Sequence, residues 1–119
     1  MPLRLIVKSM NSSGIDDIRI WVPDDVFLSI TIEIEIGTAG EDGADLFQLT
    51  VYNISSLSKL IEQKKLVSMK HSIVLLRYDY SMILNHIQSV LSSFAGHNWD
   101  DATAYLSRYF SWEYEDYTV

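Results

Sequence analysis

Hydrophobic and polar positions alternate most strictly between Phe27 and Ile36. Leu28, Ile30, Ile32, Ile34 and Ile36 fall on one side, and Ser29, Thr31, Glu33 and Glu35 on the other. A period of two over ten residues predicts a strand with one dry and one wet face. The run Leu46 to Tyr52 repeats it, with Phe47, Leu49 and Val51 against Gln48, Thr50 and Tyr52. Between them lie Gly37, Gly40 and Gly43 among Glu41, Asp42 and Asp45, a polar turn, so the pair reads as an antiparallel hairpin. The β-branched segment Leu3 to Lys8 predicts a first strand, broken by Asn11-Ser12-Ser13-Gly14. Ile15 to Val22 fits neither period, and Pro23 ends whatever it forms.

The period then lengthens. Leu57, Leu60 and Ile61 predict a helix capped by Ser55 or Ser56, with Lys64 and Lys65 at its favourable C-terminal end. Ile73 to Leu76 is a continuous apolar run, which predicts a strand covered on both faces. Ile83, Leu84, Ile87, Val90, Leu91 and Phe94 recur at helical spacing, with Asp79 or Ser81 as cap and Gly96 in the position that ends a helix. Asn98 and Asp101 resemble a capping box for a third helix, whose stripe is Ala102, Tyr105, Leu106, Tyr109 and Phe110. From Trp112 to Tyr117 the alternation returns, as a last strand or an extended tail. Strands first and helices later predict one α+β domain over residues 1–119: a mainly antiparallel sheet of four to five strands packed on about three helices.

Composition agrees with that domain. A chain of 119 residues, 48% hydrophobic, can bury roughly two-thirds of its surface without staples. The absence of cysteine removes disulfides, thiolate metal sites and a cysteine nucleophile. Met1-Pro2-Leu3-Arg4 has no apolar signal region, and no apolar run approaches the roughly 18 residues of a membrane helix, so the expected location is the cytoplasm, away from membrane.

Charge changes the picture more. The net charge is −7, and residues 16–45 carry nine acids (Asp16, Asp17, Asp24, Asp25, Glu33, Glu35, Glu41, Asp42, Asp45) against Arg19 alone. Residues 98–119 add Asp100, Asp101, Glu113, Glu115 and Asp116 against Arg108. Such a chain is unsuited to nucleic-acid backbone, which is bound by neutralising phosphates, and suited to a basic protein partner. The plain alternative is a solvated, solubilising surface.

Little points to catalysis. His71, His86 and His97 have no metal-ligand spacing, the glycines near 40 sit among acids that repel phosphate, and no nucleophile motif exists. Glu33 and Glu35 share a strand face about 7 Å apart, a separation that carboxylate pairs use in glycoside cleavage, although wet strand faces commonly carry Glu. No cofactor or metal is expected.

The C-terminal run Leu106-Ser107-Arg108-Tyr109-Phe110-Ser111-Trp112-Glu113-Tyr114-Glu115-Asp116-Tyr117 resembles the close of the immunity protein 8 family, as does the helix start Asn98-Trp99-Asp100-Asp101. The alternating strands around the Gly37–Gly43 loop are similar in order and length. The resemblance implies a bacterial immunity protein, of the kind paired with polymorphic or contact-dependent growth inhibition toxins, which binds one cognate C-terminal toxin domain and blocks it without catalysis. Such toxins are frequently nucleases with basic surfaces, which matches the charge map. The expected toxin-binding residues are then Asp16, Asp17, Asp24, Asp25, Glu33, Glu35, Glu41, Asp42, Asp45, Glu113, Glu115 and Asp116, with Trp21, Phe27 and Tyr52 as anchors. The other readings are an acidic adaptor unrelated to toxins and a small hydrolase using the carboxylate pair.

Overall fold

The computed structural model describes residues 2–23 and 26–114. The strands are β1 (Leu5–Asn11), β2 (Ser29–Thr38), β3 (Asp45–Asn53), β4 (Ser72–Leu75) and β5 (Ser111–Trp112). The helices are α1 (Ile54–Lys64), α2 (Tyr80–Ser92) and α3 (Trp99–Leu106). The strands form one sheet in the order β1-β2-β3-β4, with β5 also on β3. β1, β2 and β3 pair antiparallel in sequence, and β5 joins β3 antiparallel through Phe47–Trp112 and Gln48–Ser111. β4 returns parallel to β3 after α1, pairing Thr50 to Ser72 and Asn53 to Leu75. The predicted α+β fold is therefore present, with a mixed sheet in which one pairing of four is parallel.

The alternation of β2 and β3 survives intact. Ile32, Ile34, Ile36, Phe47, Leu49 and Val51 are buried on one face, where they meet Ile83, Ile87, Val90 and Leu91 of α2, Ala102 and Leu106 of α3, and Phe110. Burying each large side chain contributes roughly 1.5–3 kcal/mol, so this face is the principal source of stability. The other face of the same strands presents Thr31, Glu33, Glu35, Gln48 and Thr50. β1 carries a bulge at Lys8, which shifts its register beside β2 by one residue. The Lys8 side chain crosses Gly37, where a Cβ would stand 2.9 Å from Lys8 Cε and 2.5 Å from the Gly43 carbonyl oxygen, so only glycine fits.

Four local expectations are corrected. β4 is an edge strand covered on one face: Ile73 and Leu75 pack against the core, while Val74 and Leu76 are exposed. A parallel edge strand has a neighbour on one side only, and here the helical layer reaches one of its faces. α1 starts earlier than predicted, because Asn53 rather than a serine is its cap, accepting from the Ser56 backbone N–H. α1 buries none of its residues, so Leu57, Leu60 and Ile61 form a shallow face instead of a core stripe. Finally, Gly96 does not end α2, which stops at Ser92 with Ser93 as cap. Gly96 instead leaves room for the Phe94 ring, which a Cβ there would meet at 2.4 Å and displace. Asp79 and Asn98 cap α2 and α3 as expected, accepting from Met82 and Asp101 N–H.

Candidate functional site

The antiparallel meander gives the sheet two chemically different ends. At one end lies the β2–β3 turn, residues 39–44, with the start of α3. Here Asp45 begins β3, and its Oδ2 accepts the indole N–H of Trp99 and of Trp112, each at 3.0 Å. A surface cavity of about 360 Å³ joins Glu41 and Asp42 of the turn to Asn98 and Trp99 of α3. Asp100 and Asp101 are exposed in the first turn of that helix, where carboxylates favour the helix dipole. The fold thus brings together two acidic stretches that lie nearly half the chain apart. Glu113 belongs to the same edge: its Oε1 accepts the Leu46 N–H at 3.1 Å, and its own N–H donates to the Leu46 carbonyl oxygen at 3.0 Å.

Of the predicted toxin-binding acids, Glu35, Glu41 and Asp42 are exposed and Glu33 is half-buried. Glu33 and Glu35 stand on the open face of β2, opposite Asn11 and Ser9 of β1. Asp45 and Glu113 are already engaged, one by two indoles and one by the β3 backbone. Asp16 is exposed at the far end of the sheet. Asp17 grips Arg19 through two hydrogen bonds of 3.0 and 2.8 Å to the guanidinium, and that bond draws its carboxyl down to about 2. Asp24, Asp25, Glu115 and Asp116 lie outside the described residues.

The three anchors also separate. Trp21 is half-buried with its ring edge-on to Tyr78 at 4.9 Å, a packing role. Phe27 is partly exposed, with Lys59 Nζ 4.5 Å above its ring. Tyr52 is half-buried on the open face of β3. What sequence reasoning missed is the apolar character of that far end. Ile20, Val22 and Val26 of the β1–β2 connection, Leu76 after β4 and Met82 of α2 are all exposed. The signal was available only as the absence of any period in Ile15 to Val22.

The histidines do separate work. His71 Nε2 donates to the Ser107 carbonyl oxygen at 2.7 Å, and burial holds half-buried His86 below the usual imidazole range. Among the described residues no group of three His, Asp or Glu side chains could hold a metal, and no helix is long and apolar enough to cross a membrane.

No curated protein and no solved structure matches the chain significantly. The family model described as Immunity protein 8 matches residues 5–117, nearly the whole length, across all five strands and three helices. The chain therefore belongs to the immunity protein 8 family, and it is an immunity protein directed against a toxin.

Proposed function

We propose that this protein binds the C-terminal domain of one cognate bacterial toxin, a basic nuclease of the contact-dependent inhibition type, and stops it by stoichiometric occlusion in the cytoplasm. The observation that carries this reading is the state of the acid. Glu33, Glu35, Glu41 and Asp42 enter no ion pair among the described residues, where Asp17 with Arg19 is the pair formed. Lys8, a base beside the turn, donates its Nζ to the backbone oxygen of Glu41. Unneutralised carboxylates on one open sheet face and one turn leave an outward negative field. Such a field attracts the same kind of surface that holds nucleic-acid phosphate, so the protein competes with the toxin's substrate for positive charge.

Protection of cells that express the toxin domain encoded beside this chain's gene tests the whole reading. The electrostatic part is tested by association kinetics. Raising salt from about 0.05 to 0.5 M should slow association of that toxin domain by at least about tenfold, since the Debye length shrinks several-fold. Replacing Glu33, Glu35, Glu41 and Asp42 together by lysine should slow it as much at low salt. An association rate indifferent to both changes would remove charge from the mechanism.

A further inference from the structure

Exposed pairs of charges are worth about 0–1 kcal/mol each, whereas silencing a lethal enzyme at nanomolar strength takes about 12 kcal/mol. The acid accounts for arrival, and something else must account for residence.

The end of the sheet opposite the β2–β3 turn supplies it. Ile20, Val22, Val26 and Leu76 are exposed by 78%, 77%, 71% and 71%, and Met82 and Ile54 by 58% and 50%. Isolated exposed aliphatics are ordinary on protein surfaces, whereas six gathered at one end of a sheet are not. Specific bonds bring the segments that carry them to that end. Tyr78, two residues after Leu76, donates its hydroxyl to the Ile18 carbonyl oxygen and packs on Trp21, which places Ile20 and Val22 beside it. Asn53 donates its Nδ2 to the Val26 carbonyl oxygen at 2.6 Å and pairs with Leu75, so Val26, Ile54 and Leu76 converge on the C-terminal ends of β3 and β4. Met82 stands in the first turn of α2, directly after the Asp79 cap. The apolar side chains are exposed on a scaffold whose Tyr78 hydroxyl and Asn53 amide are already engaged.

We propose that this end, centred on Val22, Leu76 and Met82, is where the cognate toxin domain is held; the inference rests on the immunity reading and assigns its binding surface. Two observations select that occupant. Covering the six side chains would remove on the order of 800 Å² from water, about the share one partner gives to a standard-size heteromeric interface. The segments that carry them are also acidic: residues 16–27 hold Asp16, Asp17, Asp24 and Asp25 against Arg19, a net −3, while Arg77 balances Asp79 in residues 76–82. An apolar centre on an acidic segment fits an apolar knob with a basic rim. A second copy of this chain would set acid against acid across its two-fold axis, which is costly.

The division of labour gives the test, using the intact protein and the purified toxin domain encoded beside its gene. Val22→Ser with Leu76→Ser should raise the dissociation rate at least about 30-fold, the signature of a lost hot spot, and leave the association rate within about threefold. Val22→Ile with Leu76→Met, which keep the apolar surface, should restore residence to within about threefold of the parent. Asp16→Lys, at an exposed acid of the same end, should slow association and leave dissociation within about threefold. Unchanged melting of all three variants establishes that the fold is intact. A serine pair that dissociates as slowly as the parent overturns the assignment while leaving the immunity reading standing. So does a parent that is dimeric in solution and becomes monomeric in the serine pair with toxin residence unaltered. A parent that neither binds nor protects against the toxin overturns the immunity reading itself, and the assignment with it.

Discussion

The two ends of the sheet use the same kinds of side chain in opposite ways. At the β2–β3 turn the large rings are turned inward onto a charge, with Trp99 and Trp112 converging on Asp45. At the far end, an amide and a phenol, Asn53 and Tyr78, hold the frame from beneath, and the aliphatic groups face water. The first end is acidic in sequence, yet its innermost carboxylate is structural. The second contains several hydrophobic residues, yet few of them enter the core. Residue type alone therefore assigns neither end its task; what decides is whether each group already has a partner inside the molecule.

That contrast can be broken at its strongest point first. Asn53 is buried, and its Oδ1 accepts from both Leu28 and Ser56 N–H at 3.1 and 2.8 Å. Asn53→Ala removes a helix cap and leaves the Leu28 N–H and the Val26 carbonyl oxygen without that partner, a loss of about 3 kcal/mol in denaturant unfolding. Next comes Asp45→Ala, which orphans two half-buried indole donors and should cost about 2 kcal/mol, whereas Asp45→Asn keeps an oxygen acceptor and should cost about half as much. If Asp45→Ala unfolds like the parent, the turn end is not locked and the comparison fails there.

Tyr78→Phe is milder, about 1 kcal/mol by the same measurement, and its effect depends on pH. Burial pushes the Tyr78 hydroxyl up to about 12. A folded value above the unfolded one means that the bond's contribution is complete below the unfolded value near 10 and is lost as pH climbs from there to about 12. The stability gap between parent and Tyr78→Phe should accordingly close across that window in melting experiments. The smallest change is expected where the surface is freest: Leu76→Ser and Val22→Ser should each shift stability by no more than about 0.5 kcal/mol. A larger loss would mean that these side chains belong to the fold rather than to a partner.

Much of this was legible in the sequence. The alternation of Ile30, Ile32, Ile34 and Ile36 could only be a one-sided strand, and Asn98 and Asp79 announced their helices. β4 was misjudged because Ile73 to Leu76 is uniformly apolar, and composition cannot distinguish a strand covered twice from an edge strand whose outer residues await something. Asn53 was passed over as a cap because Ser55 and Ser56 follow it, and only tertiary bonds to Val26 and Leu28 reveal its position. Glu33, Glu35, Glu41 and Asp42 stand out by charge alone, and the fold leaves Glu35, Glu41 and Asp42 exposed and Glu33 half-buried. Asp45 was chosen by the same rule, but its partners lie 54 and 67 residues away, beyond any local pattern. At the apolar end the sequence points to Trp21 and Phe27 but not to Ile20, Val22 and Val26, which follow no period, and periodicity reports only surfaces that fold onto something.

The pairing of β5 with β3 imposes an order in time as well as in space. β3 forms its hairpin with β2 as soon as both emerge from the ribosome, but the neighbour of Phe47 is Trp112. At about 5–20 residues per second, the intervening stretch takes roughly 3–13 seconds to synthesise. Throughout that interval the N-terminal half of β3 is an open edge, and the Asp45 carboxylate lacks the Trp112 indole. A nascent chain in this state offers its hairpin for pairing with any passing strand. The polar, glycine-bearing turn and the Lys8 bulge on the opposite flank are the kind of features that keep such an interval harmless.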